Sequence, residues 1–246
     1  MLNAVNVHFR NLCTLFLMPF VFVQAMVLKN KIPRLSLPSD LPFGKIDGKE
    51  SPIGILVLGE SPVAGYGLES HSASFAACLA NCLSKKGRAI FWKTCGWVGI
   101  DMLALSKKPW PQEEFALVFV AMGVNDIKNF SSVRYWRQGT EAVVDKIRSE
   151  YPKAWIVFSE TPPIAQFPAL SSLLSLVLGW RRDILQNALE EELARKKVLL
   201  LSFDLKMEHR FFAEDHFHPS ALAHEYWAKA VAEQIAPRLD SISANR

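Results

Sequence analysis

Little in this 246-residue sequence serves metal or phosphate chemistry. It has four cysteines, Cys13, Cys78, Cys82 and Cys95, and no two stand in a CxxC or Cys/His spacing of the structural-zinc kind. Cys78 and Cys82 are four apart in an expected helix, so they share a face as small core residues and free thiols. Nothing in their number fixes a redox compartment. HExxH is absent, and no Gly-Lys-Ser/Thr follows a glycine turn, which excludes a P-loop. The GxSxG elbow is absent too, because Val63 stands at its second glycine position. Charge of one sign is also scarce as a pattern. The net charge is +4 and the pI about 8.9, but Lys and Arg are scattered and not interleaved with aromatics, so no nucleic-acid partner is expected. Such a balance suits loose contact with an anionic membrane surface. Neither internal repeats nor low-complexity tracts occur.

Long uncharged runs are limited to one. Leu12 to Leu28 (LCTLFLMPFVFVQAMVL) carries no charge over seventeen residues. As a helix it reaches roughly 25 Å, just short of a hydrocarbon core. Phe, Leu, Met and Val occupy every face, unlike an ordinary capping helix. An uncleaved anchor, a signal peptide cut after Ala25 and an interfacial helix all fit, so residues 1–29 are read as a membrane-associated segment. Only Arg10 precedes the run, whereas Lys29, Lys31 and Arg34 follow it. That asymmetry favours a cytoplasmic catalytic domain, with an exported or periplasmic one as the alternative.

Residues 30–52 hold four Pro, two Gly and alternating charges, and read as an extended linker. From residue 53 to 238 apolar strands alternate with helices. Strands are expected at 53–59, 89–94, 115–123, 154–160 and 198–203. Helices are expected at about 72–85, 132–150 (capped by Ser132), 181–196 and 219–235, the last stopped by Pro237, with 239–246 as a tail. Helices of this length between buried strands imply right-handed crossovers and a parallel, three-layer α/β/α sheet. Ligands in such sheets bind at the carboxyl ends of the strands.

Polar residues stand at those ends. GESPVAGYG (59–67) places Ser61 directly after the first strand, with a following helix expected to aim its N–H groups at the same spot. GVND (123–126) follows the third strand, and the amide of Asn125 could stabilise an oxyanion. Asp126 is read as holding its loop. In EDHFHPS (214–220), Asp215 and His218 are three apart, so one short segment supplies a base and its orienting carboxylate. The competing reading is a metal site from Asp215, His216 and His218 with His209 or His224. The base is preferred, since a metal would leave the Ser and Asn loops without a purpose. His71 and His224 are read as surface or helix-packing residues.

Taken together, Gly59-Glu60-Ser61 resembles the GDS block of the SGNH (GDSL-like) hydrolases, Gly123-Val124-Asn125-Asp126 their GxND block, and Asp215-His216-Phe217-His218 their DxxH block. TCGWVGID (94–101) looks like the intervening glycine block, with Gly99 the best match and Gly96 the alternative. The blocks come in the family's order over residues 53 to 238. The resemblance implies a flavodoxin-like sandwich of five parallel strands in order 2-1-3-4-5. It also implies an oxyanion hole from the Ser61 N–H, the Gly99 N–H and the Asn125 amide. One departure stands out: Glu60 replaces the usual Asp and adds a methylene, at a position outside the triad.

The expected activity is hydrolysis of carboxylic esters through a Ser61–His218–Asp215 triad and an acyl-enzyme, with no cofactor and no metal. The stretch 161–184 is unusually apolar, with Leu170, Leu173, Leu174 and Leu178 at helical spacing up to Gly179-Trp180. It is read as core packing, the wall of an acyl pocket or a lipid-facing lid. Lipid-like or short-to-medium acyl esters are therefore the expected small-molecule partners. Carbohydrate O-deacetylation, thioester hydrolysis or a silent, membrane-attached binding module are the alternatives.

Overall fold

The computed structural model describes residues 4–49, 52–84, 87–204 and 207–244. In chain order the elements are α1 (Ala4–Lys31), β1 (Phe43–Ile46), β2 (Ile53–Gly59), α2 (Phe75–Ser84), β3 (Ile90–Gly96), α3 (Met102–Ser106) and β4 (Leu117–Ala121). They continue with α4 (Val124–Lys128), α5 (Val133–Glu150), β5 (Trp155–Ser159), α6 (Ser172–Arg195), β6 (Leu199–Leu201) and α7 (Ala221–Ala244).

The sheet order is β1-β3-β2-β4-β5-β6, and the last five are parallel. Numbered among themselves, those five run 2-1-3-4-5, as expected. The sixth, β1, pairs antiparallel with β3 at the edge and lies inside the stretch read as a linker. Its four residues, FGKI, have no apolar run to announce them. They form a strand because β3 offers an open edge and because Gly44 sits over the Trp92 indole, where a side chain would collide with the ring.

The central strands are apolar without interruption because helices cover both faces. Ile55, Val57, Leu117 and Phe119 point to the side of α2 and α7. Leu56, Leu58, Val118 and Val120 point to the side of α5 and α6. Ser132 caps α5 by accepting the Tyr135 N–H at 3.1 Å, a contact worth about 1 kcal/mol.

Two helix boundaries differ from the sequence reading. The helix expected from about 181 begins at Ser172, so the leucine stripe and the later helix are one element that passes straight through Gly179. Gly179 lies against Ala165, where a Cβ would come within 2.9 Å of the Ala165 Cβ, so a small residue rather than a break is the requirement. Similarly, α7 does not stop at Pro237 and takes up part of the stretch read as a tail. A proline inside a helix costs about 3 kcal/mol. Burying Leu239 beyond it recovers about 1.5–3 kcal/mol, and the Pro237 ring itself faces solvent.

α1 lies outside the three layers, against α6. Val21 is buried among Leu174 and Val177, Arg10 pairs with Asp183 at 2.9 Å, and Ser171 donates to the Gln24 side chain. α1 is the one described helix long and apolar enough to cross a membrane.

Candidate active site

Strand register sets the site. Gly59 pairs with Gly96 on one side and Ala121 on the other, so β2, β3 and β4 end level and their following loops emerge together. Ser61, the Trp97–Gly99 turn and Asn125 all leave from this edge.

After β2 the chain does not enter a helix directly. Residues 61–67 form successive turns, and the next regular helix begins at Phe75. Gly65 and Gly67 adopt positive φ (77° and 93°), which breaks helical continuation. The loop is held from outside by the segment that follows α1. The Leu35 N–H donates to the Tyr66 hydroxyl at 3.1 Å, and the Gly67 N–H donates to Ser36 O at 2.9 Å. From below, the Thr94 hydroxyl donates to Val63 O. Gly96 fits under this loop only because it lacks a side chain: a Cβ there would lie 2.1 Å from the Ala64 nitrogen.

Ser61 Oγ lies 3.1 Å from His218 Nε2, and His218 Nδ1 lies 2.5 Å from Asp215 Oδ2. The other carboxylate oxygen of Asp215 accepts the backbone N–H groups of Phe217 and His218, each at 2.9 Å. Burial pushes the Asp215 carboxyl up, but the His218 ring and these two N–H groups outweigh it and hold the group below the usual range. An ionised carboxylate only accepts, so Nδ1 carries the ring proton and Nε2 is free to take the one on Ser61. His216, between them, adopts φ 54° and lets Ala169 N–H donate to its carbonyl at 3.2 Å.

The structure therefore brings Ser61, Asp215 and His218 together across the sheet edge. Asn125 is buried nearby, and its Nδ2 donates to Ile100 O at 3.0 Å. The amide carries two hydrogens, so a second remains for a ligand. The same bond ties the Gly99–Ile100 turn to Asn125, whereas Gly96 is packed beneath the serine loop. Gly99 sits at φ 78° in open space. Asp126 accepts the Met102 N–H at 2.9 Å and holds its loop to the start of α3; burial raises its carboxyl to about 6.

The residues weighed as metal ligands fall into separate pairs, with the His209 and His216 rings edge-on at 5.3 Å and Asp215 bonded to His218. No three His, Cys, Asp or Glu side chains gather as a ligand set among the described residues. Both ring nitrogens of His218 are committed, and buried His224 uses Nδ1 to accept the Phe75 N–H at 3.1 Å. His71 is also buried; its backbone N–H bonds to Asp40.

Three features escaped the sequence reading. Glu60 is buried, and its two carboxylate oxygens accept the N–H groups of Val124 and Asn125, each at 2.9 Å. Burial pushes its carboxyl up to about 7 in spite of those donors. The Tyr66 ring meets the His218 ring edge-on, with centroids 4.8 Å apart. Finally, a cavity of about 120 Å³ opens beside Ser61 and His218, walled by Phe167, Met207, Phe212, Phe217 and Trp227. From the apolar 161–184 stretch only Pro162 and Phe167 reach that cavity. Leu170, Leu173 and Leu174 pack in the cluster that seats α1, so this stripe is neither the acyl wall nor an open lid. Much of the remaining apolar wall comes from the 207–217 loop, whose Phe and Met residues follow no helical or strand period, and α7 adds Trp227.

Residues 57–226 match the model of the GDSL-like Lipase/Acylhydrolase family. No curated protein matches the sequence. Among solved structures the fold is similar to that of TesA (TM-score 0.61, 20% identity, 75% of this chain and 98% of that one). It is also similar to the psychrotrophic esterase EstA from Pseudoalteromonas sp. (0.60, 18%, 76% and 98%). A third similar structure is a family two carbohydrate esterase from Clostridium thermocellum (0.59, 18%, 78% and 66%).

Proposed function

The chain belongs to the GDSL-like lipase/acylhydrolase family, and from that premise we propose that it is a serine hydrolase of carboxylic esters with lipid-like or short-to-medium acyl chains. The observation that carries this is the continuous line from Ser61 Oγ to His218 to Asp215, at 3.1 and 2.5 Å.

In this mechanism the Ser61 oxygen bonds to the ester carbonyl carbon while its proton passes to His218 Nε2. Asp215 stabilises the resulting imidazolium. The carbonyl oxygen becomes an oxyanion held by the N–H groups of Ser61 and Gly99 and by the free Asn125 amide hydrogen. Collapse breaks the bond to the leaving alkoxide, which takes the proton back from His218. Water then repeats the sequence on the acyl-serine and releases the acid. The apolar walls given by Phe167, Phe212, Phe217 and Met207 support an acyl chain over a sugar as the group beside Ser61.

The test is turnover of p-nitrophenyl esters of increasing chain length, with covalent labelling by a fluorophosphonate. The native chain is expected to hydrolyse and to label. Ser61→Ala is expected to do neither, and hydrolysis persisting in the purified variant overturns the reading.

A further inference from the structure

Helix α1 has two apolar faces, and the protein uses only one. At 100° per residue, Leu17, Val21, Gln24 and Leu28 fall on a single face with Arg10, and this is the face that meets α6. Turned roughly 100° from that face, Phe9, Leu12, Phe16, Phe20, Val23 and Val27 form a stripe, each residue between 47% and 73% exposed. Leu15, Phe22 and Met26, exposed as well, continue the apolar surface around the helix. With apolar side chains on both sides, the sequence resembles a spanning helix.

Its docking argues against crossing. The ties from Gln24–Ser171 to Arg10–Asp183 run α1 antiparallel along α6 for about 20 Å. Over the same stretch the other side of α6 is part of the domain. Leu178 and Leu185 sit in the main core, and Arg182 donates to Thr161 O at 2.7 Å. A bilayer crossed by α1 would have to admit this helix with Arg181, Arg182 and Asp183, which hydrocarbon does not tolerate. The free stripe can instead enter a membrane with α1 lying along its surface. Lys29, Lys31 and Arg34, all exposed just beyond the stripe, supply the charge that anionic headgroups attract.

We propose that the outer face of α1 docks the protein in the plane of a lipid bilayer. The arrangement has a consequence for the site, which rests on the ester-hydrolase reading. Leu35 and Ser36 bond to Tyr66 and Gly67 only a few residues after α1 ends, so the serine loop is leashed within roughly 10–15 Å of the docked helix. An amphiphilic ester dissolved in that bilayer is then the substrate within reach.

Three measurements on the full chain test this. First, flotation with phosphatidylcholine vesicles, with and without phosphatidylglycerol, is expected to carry the protein, more strongly with the anionic lipid. Phe16→Gln/Phe20→Gln/Val23→Gln is expected to weaken association by more than about tenfold while leaving p-nitrophenyl acetate turnover in solution unchanged. Second, nitroxides on Phe9→Cys, Phe16→Cys and Val27→Cys, with the native cysteines replaced, are expected to report one shared shallow depth. Third, Ser61→Ala is expected to float like the native chain while losing ester turnover, so turnover that persists in Ser61→Ala alongside retained flotation sinks the hydrolase reading and not this one. Failure to float, a depth that peaks at the helix centre, or a lipid-free dimer dispersed by the triple variant would each overturn the proposal.

Discussion

The Glu60 carboxylate accepts the Asn125 N–H at 2.9 Å through one oxygen and the Val124 N–H at the same distance through the other. The residue beside the candidate nucleophile thus holds the loop that carries the candidate oxyanion donor. Burial pushes its carboxyl up to about 7: the two backbone donors and Lys128 oppose the shift without cancelling it, and the charge of Asp126 adds to it.

That shift makes stability depend on pH in a defined direction. The carboxyl titrates near 4.5 when unfolded and near 7 when folded, so between those values the native state binds more proton than the unfolded one. Stability from this group is full below about pH 4.5 and is lost as pH rises through about 7, with a full swing of about 3–4 kcal/mol at most. Glu60→Gln removes the titration but presents an amide N–H₂ to one of the two backbone donors, at a cost of about 1–3 kcal/mol. Thermal unfolding from about pH 4.5 to 8 is expected to show the native chain losing its advantage over Glu60→Gln as pH rises. Asp126, also raised by burial, titrates in both proteins, so only its coupling to Glu60 enters the comparison. A difference in melting temperature that stays constant with pH would remove the argument.

The oxyanion and base assignments separate by magnitude. Asn125→Ala deletes one donor and is expected to lower kcat by about 10²–10³, with little change in KM. Asp215→Asn keeps the shape but presents a donor to Nδ1, reversing the tautomer of His218, and is expected to cost about 10⁴ in kcat. Because Ser61 and His218 act as one unit, Ser61→Ala/Asp215→Asn is expected to fall no further than Ser61→Ala alone. Burst and steady-state kinetics with a chromogenic ester measure all three. Additive losses would show that the residues do not serve one proton transfer.

How much of this was legible in the sequence follows from what each feature depends on. β2 matched its apolar run residue for residue, and the Ser132 cap fell where the local pattern placed it, because both are set by near neighbours. The positions of Ser61, Asn125 and His218 were legible for the same reason, each following a strand or leading into a helix. β1 was not, since four residues without an apolar run become a strand only when β3 lies beside them. The clamp from Glu60 to Val124 and Asn125 joins positions 64 and 65 residues apart, and nothing local to Glu60 announces it. The leucine stripe was seen, but its partner was not: it seats α1, a contact created by tertiary packing.

The choice between Gly96 and Gly99 as second oxyanion donor can be decided because their constraints differ. Gly96 is required by space: any Cβ would meet the Ala64 and Val63 backbone at 2.1–2.5 Å, and backbone cannot turn aside as a flexible side chain can. Gly99 is required only by its φ of 78°, with nothing within 4 Å of where a Cβ would stand, so alanine there costs about 1 kcal/mol of strain. Gly96→Ala is therefore expected to displace the serine loop, lowering the melting temperature and ester turnover together. Gly99→Ala is expected to leave the melting temperature within a few degrees of native. If the Gly99 N–H holds the oxyanion, strain that tilts this peptide lowers kcat selectively while KM stays near native. Gly99→Ala with native kcat would return the assignment to Gly96, whose own variant would then show a kcat loss larger than its loss of folded protein explains.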